Sequence, residues 1–136
     1  TFFDVGSLMK KYPAVSKREE RIGCEVGSHA YSHAQLTKLS VAELQKQIKD
    51  AEDVFISVLG HKPSLVRPPY GSVNTTVKEN VNYPLINWDV DTLDWKSRNK
   101  ASILRKVRDV KNLNGRVILM HGIYSSTASS LASVSK

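Results

Sequence analysis

Apolar residues recur at three- and four-residue spacing from Val41 through Leu44, Ile48, Ala51 and Phe55 to Val58, which predicts one face of a long amphipathic helix. Ser40 precedes the stripe as an N-cap, and Glu43 three residues later completes a capping box. Gly60 stands where a helix stops, with Pro63 just beyond. Elsewhere the pattern is shorter. Residues 1–5, aromatic and β-branched, predict a strand that Gly6 ends. Pro13 opens a helix that residues 14–22 carry to Gly23. Residues 24–27 predict a second short strand, leading into a histidine-containing loop. A strand over 64–66 is cut off by Pro68 and Pro69; a short helix over 75–81 and a buried strand over 85–88 follow. Asn99 caps a helix reaching about Asn112, Asn114-Gly115 turns the chain, and 116–120 is a near-continuous apolar strand. The Ser- and Ala-rich tail, 125–136, is weakly specified as helix.

Strands alternating with helices predict an α/β fold, with parallel strands and helices packed outside them. In such folds functional residues collect at the C-terminal ends of strands. That rule selects His29, Arg67, residues 89–95 and His121.

Composition narrows the class. At 136 residues the chain has the length of one domain. With 40% hydrophobic and 24% charged residues it is ordinary globular material, which argues against disorder. No apolar run approaches the roughly 20 residues that cross a bilayer. Twenty Lys and Arg against thirteen Asp and Glu give a net charge of +7, which favours nucleic acid, anionic lipid or an anionic cell wall without choosing among them. The basic residues are spread along the chain with no stacking-aromatic or recognition motif, so a nucleic-acid partner is not expected. The one cysteine, Cys24, excludes an internal disulfide framework. The chain starts Thr1-Phe2-Phe3-Asp4, with no targeting segment, so any secretion signal or membrane anchor is expected outside it.

The chemistry-bearing residues each admit two readings. His29 and His33 are four apart, so a helical turn would place both imidazoles on one face, able to share a metal ion. With an oxygen ligand and an open position they would suit a zinc-type hydrolytic site; the alternative is two surface histidines. Arg67 precedes two prolines that fix the backbone of Arg67-Pro68-Pro69-Tyr70-Gly71. Arg67 could fork onto a carboxylate and the Tyr70 N–H could face an oxyanion, or the loop could simply carry a solvated arginine. Asp89, Asp91 and Asp94 form either a solvated acidic loop or a partner that raises a histidine's pKa and fixes its tautomer. His121 ends an apolar strand, where it could deliver a proton or merely bond to backbone. His61, after a helix-ending glycine, is expected at the surface with no role.

The order of these segments is more informative than any one of them. Ser28-His29-Ala30-Tyr31-Ser32-His33, Arg67-Pro68-Pro69-Tyr70-Gly71, residues 88–95 and Ile118-Leu119-Met120-His121 resemble four successive motifs of the polysaccharide deacetylases. These are the NodB-type enzymes of carbohydrate esterase family four. The wording is most similar to that of Gram-positive peptidoglycan N-acetylglucosamine deacetylases. The resemblance implies a distorted (β/α) barrel and the removal of N-acetyl groups from a cell-wall polysaccharide outside the cell; chitin oligomers and acetyl-xylan are alternative substrates, and a non-catalytic glycan binder an alternative function. It implies His29 and His33 as ligands of a divalent metal, zinc foremost, with cobalt or nickel as alternatives. It makes His121 the general acid, Asp94 its partner, and Arg67 the residue that orients a catalytic aspartate. Tyr70 would supply an oxyanion-hole amide, and Trp95 and Leu119 would wall the pocket for the acetyl methyl.

The resemblance also sets an expectation about extent. The family's Asp-Asp motif, which carries the base and the third metal ligand, lies before the strand at which residue 1 falls, and Asp4 is not its substitute. Residues 1–136 are thus expected to be a domain truncated at both ends, lacking the first and last strand. Such a chain should be inactive by itself, and marginally stable or associated with a complementing segment.

Overall fold

Strand β1 (Phe2–Asp4) pairs in parallel with β2 (Val26–Ser28), in the register Phe2↔Val26, Phe3↔Gly27, Asp4↔Ser28. The computed structural model describes residues 1–136, which divide into two compact units, Thr1–Asn87 and Trp88–Lys136. In the first unit single bridges continue the parallel order, Ser28 with Val66 and Val66 with Leu85. The strands predicted over 64–66 and 85–88 therefore shrink to one bridging residue each. Pro63, Pro68, Pro69 and Pro84 flank them, and a residue without an N–H cannot donate to a ladder. The second of them is also not buried: Leu85 and Ile86 are half-buried and Asn87 is exposed.

Gly27 is required by a close approach. A Cβ there would lie 2.7 Å from two ring carbons of Phe3, so its absence lets that ring lie across β2.

The helix predicted from the apolar stripe is α3 (Val41–Leu59). Both halves of the capping box form: Glu43 N–H donates to Ser40 Oγ at 3.2 Å and Ser40 N–H to Glu43 Oε1 at 3.1 Å. Gly60 ends the helix in the left-handed region at φ 82°. Leu44, Ala51 and Phe55 are fully buried, whereas Val41, in the first turn, is exposed. Leu44 packs with Ala30, Leu36, Val66 and Val77, and Phe55 with Met9, Val26 and Val54. Burying a side chain the size of Phe55 contributes about 1.5–3 kcal/mol. The same helix thus anchors two apolar clusters.

Gly6 does more than end a strand. It opens α1 (Gly6–Lys11), a helix the pattern did not indicate, and a Cβ on it would meet Tyr31 and Ala51 at 3.1–3.3 Å. Pro13 then starts α2 (Pro13–Arg21) at its first turn, as expected. α4 (Thr75–Asn80) is capped by the Asn74 side chain.

In the second unit β3 (Val90–Asp91) pairs in parallel with β4 (Ile118–Leu119). The strand predicted over 116–120 is only two residues long, because Val117 N–H is taken by the Asp89 carboxylate at 2.8 Å. α5 (Asp94–Ser97) is a single turn. α6 (Lys100–Arg108) is capped by Asn99 and buries Ile103 and Val107. The Ser-rich tail is helical: α7 (Ser125–Val134) packs on α6 and buries Thr127 and Ser130. Tertiary packing supplies the stability that its composition does not. No helix is long and apolar enough to cross a membrane.

Candidate active site

β2 delivers the chain into residues 29–33, and His29 N–H continues the ladder to the Asp4 carbonyl at 2.9 Å. The segment is a loop, as expected, and the helical turn that would align the two histidines does not form. Ala30 and His33 adopt left-handed backbone instead, with φ of 62° and 59°. This folds the segment so that the His29 and His33 rings meet edge-on, with centroids 4.7 Å apart. Of the two readings, the structure brings the imidazole rings together, by a backbone route other than a helical turn. Left-handed conformation costs a non-glycine residue about 1–2 kcal/mol, so its surroundings must hold it. Here the first amides of α1 do so: Gly6 N–H donates to the Ala30 carbonyl at 2.9 Å and Ser7 N–H to that of Tyr31 at 2.8 Å.

His29 Nδ1 lies 2.6 Å from the Arg67 carbonyl oxygen. A carbonyl only accepts, so Nδ1 carries the proton and Nε2 presents its lone pair. Metal-ligating histidines are oriented in this way. The Arg67 side chain is not solvated, which corrects that reading: the residue is 9% exposed. Its guanidinium donates to the carbonyls of Ile86 and Asn87 at 3.1 and 3.3 Å and lies 4.3 Å from the Phe3 ring centroid. Burial pulls its pKa down from the ordinary arginine value. Tyr70 sits at φ 61° in the turn Pro69–Gly71, and its exposed ring meets that of His33 edge-on at 4.7 Å. Its N–H, early in a helical turn, has no acceptor inside that turn.

The pair His29 and His33 has the donor chemistry for a zinc-type ion. Residues 1–136 contain no group of three or more His, Cys, Asp or Glu side chains placed to hold one. Asp4 is engaged elsewhere, accepting from Ser16 Oγ at 2.5 Å. The two imidazoles therefore fit part of a ligand set.

In the second unit Asp94 and His121 form a tight dyad. Asp94 is 0% exposed, which corrects the solvated-loop reading for this residue. Its carboxylate accepts from His121 Nδ1 at 2.8 Å, His121 N–H at 2.6 Å, Thr127 Oγ1 at 2.7 Å and Trp95 N–H at 2.9 Å. Burial pushes this carboxyl up, but the bonds from His121 and Thr127 together outweigh it and hold the group below its ordinary value. Asp94 is thus an ionised acceptor, His121 donates from Nδ1, and its Nε2 is the ring atom left for chemistry. The His121 side chain is 38% exposed.

The other acidic residues of the segment do structural work. Asp91 accepts from Leu93 N–H at 2.9 Å, and Asp89 holds Val117 and pairs with Arg116 at 3.6 Å. Trp95 is half-exposed on α5, while Leu119 is buried in β4. His61 lies at the surface, as expected, paired with Glu20. Thr127 was not indicated by any motif. It is one hydroxyl in a Ser-rich helix, and only the packing of α7 brings it to Asp94.

Residues 1–84 match the family model described as polysaccharide deacetylase. The peptidoglycan-N-acetylmuramic acid deacetylase PdaC of Bacillus subtilis is 44% identical over 128 residues, which is 94% of this chain and 27% of that protein. Its solved structure aligns with a TM-score of 0.91 at 41% identity, covering 98% of this chain and 65% of the other. The peptidoglycan-N-acetylglucosamine deacetylase PgdA of Listeria monocytogenes is 43% identical over 131 residues, 96% of this chain and 28% of that protein. A CE4 family pseudoenzyme from Bacillus anthracis aligns with a TM-score of 0.89 at 29% identity, covering 98% of this chain and 48% of the other. The chain thus spans little more than a quarter of the length of these curated relatives.

Proposed function

The chain belongs to the polysaccharide deacetylase family, and from that premise we propose that it serves to remove N-acetyl groups from the amino sugars of peptidoglycan at the bacterial cell surface. The observation that carries this is the Asp94–His121 dyad: a buried ionised carboxylate fixes the imidazole with Nδ1 protonated and Nε2 turned to chemistry.

Hydrolysing an acetamide requires a polarised carbonyl, an activated water and a proton for a poor leaving group. His29 and His33 would hold a divalent ion, zinc foremost, with cobalt or nickel as alternatives. Such an ion, when bound, polarises the carbonyl and acidifies water. The rest falls to the chain. The Arg67 carbonyl holds His29 in the tautomer that presents Nε2. The Tyr70 N–H stabilises the developing oxyanion. His121 Nε2 delivers the proton to the departing amine, and Asp94 stabilises the imidazolium. Trp95 and Leu119 wall the acetyl methyl, and the Arg67 guanidinium orients a catalytic aspartate contributed from outside these residues.

That last residue bears on what the 136 residues do alone. With two imidazoles and no third His, Cys, Asp or Glu partner, they are proposed to be inactive, or nearly so, until a segment carrying the acidic pair complements them. A second reading is a non-catalytic glycan binder, to which the likeness to a pseudoenzyme lends support. One experiment separates them. Acetate release from peptidoglycan and from N-acetylglucosamine oligomers is measured for the 136-residue chain and for the full-length protein, each with zinc or cobalt. Release by the full-length protein alone is expected. Glycan binding without release by either would favour the binder, and full turnover by the short chain would refute the incompleteness.

A further inference from the structure

We infer that Gln47, on α3, is a positioning residue for the His29 and His33 pair. The inference rests on the reading that this pair binds a divalent ion. Gln47 reaches from the long helix to Tyr31 and Ser32, two of the three residues between the imidazoles. Its Oε1 accepts from Tyr31 N–H at 3.1 Å and from Ser32 N–H at 3.0 Å, and its Nε2 donates to Ser32 Oγ at 2.8 Å. The orientation of the amide is decided by these partners, because only its oxygen can accept from two backbone N–H groups.

The consequence lies in what the bonds hold. Tyr31 and Ser32 lie between Ala30 at φ 62° and His33 at φ 59°. The carbonyls of Ala30 and Tyr31 are held on one edge by Gly6 and Ser7. Gln47 alone grips the amide edge from α3. Backbone in the left-handed region persists only where its surroundings over-determine it. Without the amide grip the loop is held less firmly, and the His33 ring, which also meets Tyr70, shifts relative to His29. Two ligands on one short loop act together only while that loop keeps its form, and loss of a group that orients a ligand lowers metal affinity about ten- to a hundredfold.

The test uses the full-length protein and cobalt(II), titrated in competition with a chromophoric chelator, alongside amide hydrogen exchange of Tyr31 and Ser32. Gln47→Ala is expected to weaken cobalt binding about ten- to a hundredfold, and to speed exchange at both amides. Gln47→Glu is expected to restore binding, because a carboxylate accepts the same two N–H groups and the Ser32 hydroxyl can donate to it. Should Gln47→Ala fail to fold, Gln47→Met, of similar length but without an acceptor, carries the comparison. Equal affinity of wild type and the Gln47 variants overturns the inference while leaving the metal reading intact. A wild-type protein that binds no cobalt overturns both.

Discussion

His29 donates its Nδ1 proton to the Arg67 carbonyl at 2.6 Å, so a loop 38 residues away sets the tautomer of a candidate metal ligand. The segment beginning at Ser28 and that beginning at Arg67 are thus one assembly. The Arg67 side chain anchors the second loop by its bonds to Ile86 and Asn87 and its place over Phe3. Two directions of bonding from one residue, backbone to His29 and side chain to Ile86, Asn87 and the Phe3 ring, make it hard to replace.

Arg67→Lys should therefore destabilise the protein although it keeps the charge. A lysine has neither the planar fork for two carbonyls nor the flat face that stacks on Phe3. The expected loss is about 1–3 kcal/mol, the worth of part-buried hydrogen bonds donated by a charged group. Urea denaturation of the two proteins measures it.

Asp94→Asn should abolish most activity of the full-length protein with little change in shape. The amide keeps one oxygen but puts a donor at the other position, facing either the His121 N–H or its Nδ1, and it removes the charge that stabilises the imidazolium. A comparable change in a serine protease triad costs about 10⁴ in turnover. Acetate release at saturating substrate reads it. The same carboxyl is held below its ordinary value, so it binds protons less readily folded than unfolded. Its stabilisation is present above the ordinary carboxylate value and is lost as pH falls through the lower folded value. Acid unfolding below about pH 4 should be shallower in Asp94→Asn.

Thr127→Val keeps the shape of the side chain and removes its hydroxyl. Asp94 Oδ2 would then lose the bond at 2.7 Å that ties α7 to the dyad. A destabilisation of about 1–3 kcal/mol is expected, because that hydrogen bond ends on a charge. Faster amide exchange along α7 would accompany it; unchanged exchange and stability would show that the bond holds nothing.

Glu19 predicts a pH dependence of opposite sign. Burial first, then the charge of Asp4 and a hydrogen bond to it, raise its pKa from 4.5 to about 8, with the amino terminus opposing. The folded protein thus holds this proton more tightly than the unfolded chain does. Its contribution to stability is complete below pH 4.5 and lost as pH rises through about 8. Glu19→Gln should flatten that decline and stabilise the protein at pH 9 by about 1–2 kcal/mol, the smaller value reflecting solvent screening. Thermal melts at pH 6 and pH 9 provide the comparison.

Much of the scaffold was legible in advance. The capping box at Ser40 and Glu43, the stop at Gly60, Pro13 at the start of α2 and the Asn99 cap each act within a few residues, so local chemistry specifies them. Parallel strands joined by helices followed from alternation, though the strands proved shorter than their apolar runs because prolines and the Asp89 side chain interrupt the ladders. The order of motifs picked out His29, His33, Arg67, Tyr70, Asp94 and His121.

What the sequence indicated by itself was therefore which residues are candidates for chemistry and where the main helices run, since caps, turns and apolar periods are short-range. Only the tertiary structure decided how those residues are oriented. The two imidazoles meet through left-handed backbone, which no periodicity encodes. Thr127 and Gln47 come from helices whose patterns give no hint of a polar contact; Thr127 reaches its partner across 33 residues of chain and Gln47 across 15 and 16. Hydrogen bonds of that span exist only once the apolar faces of α3 and α7 are packed, because burial alone brings their polar side chains within reach.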